Sequence, residues 1–388
     1  MKIAVIGVPE IPSREGEIGR YCQEFYPRIA ARGHQVDIFI QPEYSHQPWF
    51  VMYYYRNLRI ISLISLPYKQ INLLFGSALS TIWASLGNYD VIHIHDAKAG
   101  WFAWFAQIFS QSKIILTSHQ LDCQPTQYSK FWRWLLPWIE NIAVKNVDEV
   151  IVSSKALGEY FQQKYQICPR YLPNGVQKIS DRQVKQRFRC GSSLGLQTQK
   201  YLLYLGKLTP ENQPDLLLRA YQKLKPQGWK LVLAGGIGGS IKYAVQLLNL
   251  AKHEPDIIFT NELRGQDLRE IIRHAGLLVA SSGSLDLALP SVVLEAMAAG
   301  VPVVASDNLV YRELIGQDRG LLFQSGHLNS LLGKLQYAFA EPLKLLTMAQ
   351  KAQQYTTTNH NWDRVTYGNL ALYLNLAPKT TTPSVKHP

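Results

Sequence analysis

Cysteine is scarce in this sequence: Cys22, Cys123, Cys168 and Cys190 are the only four in 388 residues. They are scattered, with no CxxC pair and no Cys/His run at ligand spacing, which excludes a zinc finger and a disulfide framework. Long apolar runs are missing too. No stretch approaches the roughly 18 uninterrupted apolar residues of a membrane-spanning helix. No cleavage site follows the first residues, where "KIAVIGV" reads as a strand, so a secretory signal is not expected. Acidic residues are few, 28 against 40 Lys and Arg, for a net charge of +12. The excess is uneven: residues 1–170 hold 16 basic and 13 acidic side chains (+3), and residues 171–388 hold 24 and 15 (+9). Such a balance suits nucleotide phosphates or an anionic lipid surface as partner, or simply a solvated basic surface. No helix-turn-helix, zinc-finger or RNA-binding-sheet pattern accompanies it, so nucleic acid is not expected. The expectation is a cytoplasmic protein without a resident metal or cofactor.

What the sequence does have is hydrophobic residues, 47% of the chain, and a length suited to two domains. Short apolar runs alternate with helical stretches. The first half has "KIAVIGV", "QVDIFI", "DVIHIHD", "KIILTSH" and "DEVIVSS". The second has "KYLLYLGKL", "WKLVLAGG", "DIIFT", "GLLVASS", "VPVVASD" and "GLLF". Continuous rather than alternating runs fit parallel strands covered on both faces. Strand–helix–strand order, repeated in two series, predicts two doubly wound α/β domains. The break falls at "YLPNGVQ", where Asn174-Gly175 is a turn dipeptide, and the linker is expected at about 172–178. Domains are therefore expected over 1–172 and 173–360, with an amphipathic helix over 361–376 and a disordered tail over 377–388.

Ligands of open α/β sheets bind beyond the carboxyl ends of the strands. This draws attention to the loops 8–19, 93–96, 118–122, 206–212, 235–239, 281–291 and 306–307. In "LPSVVLEAMAAG", Pro290-Ser291 reads as a helix start, with Ser291 able to cap. The first amides of such a helix form an anion site, suited to a diphosphate. Glu295 lies one turn in, on the face of Ser291, where its carboxylate either accepts bonds from vicinal ribose hydroxyls or only complements the helix dipole.

"LALPSVVLEAMAAGVPVVASD" resembles the signature of the family 4 retaining glycosyltransferases of GT-B fold. "GVPEIPSREGEIGRYCQEFYPRIAARGHQVDIF" is similar to that family's first strand–loop–helix, particularly in its rhamnosyltransferase-like branch. "DVIHIHD", "TSHQLD", "DEVIVSSKALGEYF", "YLPNGV" and "YLGKLTPENQPDLLLRA" follow in the family's order, so the likeness spans about residues 1–372. It implies two Rossmann-like domains facing a central cleft, the first on the acceptor side and the second binding a nucleotide-diphosphate sugar, with the last helix crossing back to the first. It implies metal-independent transfer, with retention, to a glycan or lipid-linked glycan in polysaccharide or cell-envelope synthesis.

The same resemblance implies site residues. Glu295 takes the place of the ribose-binding glutamate, while the partner glutamate's place is held by Leu287, with Asp286 beside it. Leu289, Ser291 and Val292 belong to the same donor loop. The places of a phosphate-binding Arg and Lys are held by Lys207 and Asn212. A Gly-Gly-x-Glu loop reads Gly16-Glu17-Ile18-Gly19, with the carboxylate moved to Glu17. His119 matches a position near the donor sugar and is the candidate catalytic residue with Lys207. The departures at Leu287, Asn212 and Gly19 leave a second expectation open, a transferase-like protein without turnover that binds or assembles with a partner. A GT-B epimerase would need further acid/base carboxylates, which the sequence does not offer.

The remaining motifs read more plainly. His93 is expected in the core, and His95 with Asp96 as loop scaffolding at a strand end. "AGGIGGS" (234–240) lacks the G-x-G-x-x-G spacing and reads as a tight strand-to-helix turn. "KFWRWLLPWIE" (130–140) is a helix that either packs on the first sheet or touches a membrane from its inner face. The stretch 49–75, aromatic and basic, either faces a lipid-linked acceptor or is buried strand and helix.

Overall fold

The structure, a computed structural model, describes residues 1–13, 16–40, 50–64, 66, 69–121, 130–177, 188–283 and 287–377. Asp286 and the tail beyond 377 lie outside these residues. The chain folds as two compact units: Met1–Asn174 joined by the stretch from Trp362, and Gly175–Asn361.

The first unit is built on eight strands: β1 (Lys2–Val8), β2 (Gln35–Ile40), β3 (Val51–Tyr55), β4 (Leu58–Ser62), β5 (Val91–His95), β6 (Lys113–Ser118), β7 (Glu149–Val152) and β8 (Arg170–Tyr171). Their order in the sheet is β3-β4-β2-β1-β5-β6-β7-β8, and all neighbours are parallel except β3 and β4. Ile3, Val5, Val91, Ile92, Ile115 and Leu116 are fully buried, which is why these strands are continuous apolar runs. Helix α1 (Glu17–Ala30) leads left from β1 to β2, whereas α2 (Lys69–Leu86), α3 (Ala103–Phe109), α4 (Lys130–Lys145) and α5 (Lys155–Tyr165) lead rightward. Right-handed crossovers then put α1 on one face and α2 to α5 on the other.

The antiparallel pair was not anticipated. Within 49–75 the chain turns at Arg56-Asn57, both with positive φ (46° and 66°), the conformation of a two-residue hairpin turn. Strand β3 is an edge strand with Met52 and Tyr54 exposed, and β4 is buried. Across β2 and β4 the fully buried Asp37 receives two bonds from Arg59, Nε at 2.9 Å and Nη2, and one from Tyr89 Oη at 2.6 Å.

The second unit has six parallel strands: β9 (Tyr201–Leu205), β10 (Lys230–Ala234), β11 (Ile257–Thr260), β12 (Leu277–Ala280), β13 (Val303–Ser306) and β14 (Leu321–Phe323). Their order is β11-β10-β9-β12-β13-β14. Helices α6 (Arg189–Ser193), α7 (Pro214–Leu224), α8 (Ile241–Leu250), α9 (Gly265–Arg273), α10 (Ser291–Ala298), α11 (Leu309–Ile315), α12 (Leu328–Ala340) and α13 (Pro342–Asn359) complete it. Both units are doubly wound α/β, as the alternation of runs predicts. The last helix, α14 (Trp362–Leu376), places Trp362, Val365, Leu372 and Tyr373 among Phe25, Tyr26 and Ile29 of the first unit. Among the described residues no helix is long and apolar enough to cross a membrane.

Candidate functional site

In the second unit the loops beyond β9 and β12 are bonded together. Lys207, just past β9, is exposed. Its carbonyl accepts bonds from Tyr204 Oη at 2.9 Å and Asn212 Nδ2 at 3.0 Å. Asn212 Oδ1 accepts from Ser282 Oγ at 3.1 Å, and Ser281 Oγ donates to the carbonyls of Asn212 and Gln213, both at 2.9 Å. The side chain of Asn212 thus donates to one loop and accepts from the other. A lysine there has no acceptor and could not make both bonds. The "AGGIGGS" turn meets the same place: a Cβ on Gly235 would lie 1.8 Å from the Gly206 carbonyl oxygen. Its glycine serves a close approach of two loops.

Helix α10 is mostly buried, through Val293, Leu294, Ala296, Met297 and Ala298. Ser291, Val292 and Glu295 are the half-buried positions of its first five residues, spaced i, i+1 and i+4 along one side. The expected cap is corrected: the N-cap is Pro290, which makes no side-chain capping bond. Ser291 is the first helical residue. The Pro290 carbonyl accepts from the amides of Val293 at 3.1 Å and Leu294 at 3.2 Å. The amides of Ser291 and Val292 have no acceptor inside the helix and sit at its positive end. Leu289 is fully buried, and Leu287 is half-buried. Asp286 lies outside the described residues.

In the first unit Gly16 is the N-cap of α1, with φ 88° and ψ 151°, a conformation open to glycine and strained for other residues. Glu17 follows at the positive end of the helix. A Cβ on Gly19 would lie 2.4 Å from Ser13 Oγ and 2.8 Å from Ser13 Cβ. The loop before α1 crosses there, so position 19 has no room for a carboxylate.

His119 stands at the end of β6, and it is not alone. His93 and His95 project from β5 on the same side, and the three rings stack, with centroids 4.5 Å and 5.2 Å apart. Thr117 Oγ1 lies 2.6 Å from His93 Nε2, and His93 Nδ1 is 2.9 Å from Tyr26 Oη. Tyr26 Oη is 2.7 Å from His95 Nε2, and His95 Nδ1 is 2.9 Å from His119 Nε2. Tyr373 of α14 joins His93 Nδ1 at 2.5 Å. His93 is core, as expected, but it shares one network with His95 and His119. The period-2 pairs 93/95 and 117/119 on neighbouring strands carried that signal.

Burial lowers all three pKa values, His93 to about 3 and His119 to about 4. In His95 the neighbouring rings add to burial, and in His119 the Asn174 side chain partly opposes it. The rings are neutral at physiological pH. Asp96 Oδ1 accepts from the His119 amide at 3.0 Å, while Asp96 itself holds φ 65°, ψ 146°, which few residues other than glycine adopt. Strain of this kind collects at functional sites. Among the described residues no three His, Cys, Asp or Glu side chains are arranged to hold a metal ion.

Comparison with known proteins matches both halves. Residues 18–178 match the family described as Glycosyltransferase Family 4, and residues 192–355 match Glycosyl transferases group 1. The D-inositol 3-phosphate glycosyltransferase of Saccharomonospora viridis is 25% identical over 341 residues, covering 79% of this chain and 78% of that protein. An uncharacterised glycosyltransferase of Methanocaldococcus jannaschii is 25% identical over 329 residues, 79% and 80% of the two chains. Among solved structures, sucrose-phosphate synthase from Thermosynechococcus elongatus superposes with a TM-score of 0.79 at 21% identity, covering 97% and 98% of the chains. HepE from Anabaena, solved with UDP and glucose, gives 0.75 at 18% identity, covering 97% and 99%. The two-domain architecture is that of these GT-B proteins.

Proposed function

We propose, for a chain that belongs to the group 1 glycosyltransferases with a family 4-type first half, that it moves a sugar from a nucleoside-diphosphate donor to a hydroxyl of a glycan or lipid-linked glycan. Transfer is with retention and without a metal, in the building of polysaccharide or cell envelope at the cytoplasmic side of a membrane. The observation that carries the reading is α10. An otherwise buried helix, whose N-cap Pro290 has no side chain to bond its first amides, keeps Ser291, Val292 and Glu295 half-buried along one side.

The leaving diphosphate gains negative charge as the glycosidic bond breaks. Donors fixed before the reaction stabilise that charge with little reorganisation. The amides of Ser291 and Val292 fill this role, and the exposed ammonium of Lys207 adds a second positive centre. Glu295 accepts bonds from the ribose hydroxyls. The leaving phosphate itself takes the acceptor proton on the face it departs from, so no separate base is needed. In the first unit the candidate catalytic residue is His119, neutral and held by His95 and by the bond from its amide to Asp96. Anabaena HepE has also been solved with UDP-glucose, which makes uridine diphosphate the first nucleotide to try. Leu287, apolar where a sugar hydroxyl would be bound, favours a deoxy sugar.

The reading is tested by donor turnover. Release of nucleoside diphosphate from one donor is expected, with Lys207→Ala lowering kcat by about 100- to 1,000-fold. Leu287→Glu is expected to gain activity on ordinary hexose donors. Binding without turnover on any hexose or deoxyhexose donor would overturn transfer and leave a binding protein.

A further inference from the structure

The solvent side of α4 carries residues that a surface helix normally keeps inside. Leu136, Ile139, Ala143 and Val144 face the core. On the opposite side Phe131, Trp134 and Trp138 recur at i, i+3 and i+7 and stay 61, 63 and 63% exposed. Trp134 and Trp138 stack, with centroids 6.2 Å apart. The water-facing stripe of such a helix is ordinarily polar. A contiguous apolar patch there marks an interaction surface. Helix α3, on the same face of the sheet, adds exposed Trp104, Ile108 and Phe109.

Charge selects the partner. Helices α2, α3 and α4 and the 3-10 turn Ala97–Phe102 contain one carboxylate between them, Glu140. It is buried, and it accepts bonds from Lys164 Nζ at 2.9 Å and Tyr160 Oη at 3.0 Å. Lys130 and Arg133 are exposed in the first turn of α4, the turn that holds Phe131, and Lys145 is exposed at its end. A second copy docked two-fold through these elements would offer the cations no exposed carboxylate from the same elements. An anionic bilayer answers both features: indole rings settle at the headgroup level, and cations meet the phosphates.

We propose that the Phe131–Trp134–Trp138 stripe, with Lys130 and Arg133, is a docking surface for an anionic lipid bilayer. It rests on the proposed function only in what it adds there, namely that the acceptor is lipid-linked and met at this surface. The experiment is co-sedimentation of the full chain with vesicles of phosphatidylcholine alone and of phosphatidylcholine with an equal part of phosphatidylglycerol. No donor or acceptor is present, so the result is independent of turnover.

Binding is expected to the anionic vesicles and not to the neutral ones. Lys130→Glu/Arg133→Glu is expected to lower partitioning by about 25-fold or more, at roughly fivefold per lost cation. Trp134→Ser/Trp138→Ser is expected to lower it by about tenfold or more from lost apolar burial. All four side chains are exposed or solvent-facing, and melting temperatures near the parent's would establish that both variants fold. Equal binding by parent and both folded variants overturns the proposal. So does failure of the parent to bind anionic vesicles, including the case in which the chain instead self-associates through the two tryptophans. A chain that binds nucleotide but no vesicle loses this inference and keeps the function; the reverse result does the opposite.

Discussion

His93, His95 and His119 hold their shared network only while neutral, because the bond between His95 Nδ1 and His119 Nε2 needs one of the two nitrogens bare and protonation would place like charges on buried stacked rings. All three pKa values are lowered on folding, those of His93 and His119 to about 3 and about 4, so the unfolded chain binds more protons as pH falls below about 6.5. Stability contributed by the network is complete above about pH 6.5 and falls as pH drops through that window. His93 and His119 each cost about 2 kcal/mol by about pH 5, and His95 acts in the same direction. The melting temperature is expected to stay level from about pH 8 to 6.5 and to drop steeply below; a level profile down to about pH 5 would contradict the network. Gly19 gives a second prediction. Gly19→Ala is expected to destabilise by about 1–3 kcal/mol through the clash with Ser13, and Ser13→Gly to restore much of it in chemical denaturation. Sequence alone presents Gly19 as a lost carboxylate. The crossing of Ser13 over α1 is a tertiary fact with no local signature, and the same holds for the two loop bonds that make Asn212 more than a missing lysine.

At the scale of elements, the parallel strands were legible as short continuous apolar runs rich in Ile and Val: burial on both faces removes alternation, and their shortness and β-branched content separate them from helices. The hairpin β3–β4 was hidden for the opposite reason. Its turn uses Arg56-Asn57 instead of a glycine pair, and its edge strand mixes exposed and half-buried aromatics. The start of α10 was legible from Pro290, but the cap was misassigned, because Ser291 enters the helix one residue later than a cap would. The strand pairing β2–β4 supports a prediction. Arg59→Met leaves Asp37 buried without its cation and is expected to cost about 3–5 kcal/mol. Adding Asp37→Leu should recover part of that, measured by the denaturation midpoint. A double variant worse than the sum of both singles would show that the pair is not what that pairing needs.

For the whole molecule, an amphipathic pattern is enough to read α14 as a helix, but nothing in its residues says which unit it covers. It supplies Trp362, Val365, Leu372 and Tyr373 to the first unit's core. Truncation after Asn361 is therefore expected to destabilise the first unit while the second keeps its fold, which separate unfolding transitions would report. The proposed transfer depends on one site of the second unit, the amides and Glu295 of α10. The measurement that tests it most directly is the melting temperature of the full chain against UDP, GDP, ADP and dTDP and their sugars, with Glu295→Ala in parallel. Binding to the native state raises the melting temperature by mass action, about 2.7 kcal/mol of stabilisation at a hundredfold excess over Kd. One nucleotide should raise it, and the rise should shrink or vanish in Glu295→Ala. No rise with any nucleotide, or an equal rise in the variant, would contradict a donor site on this helix.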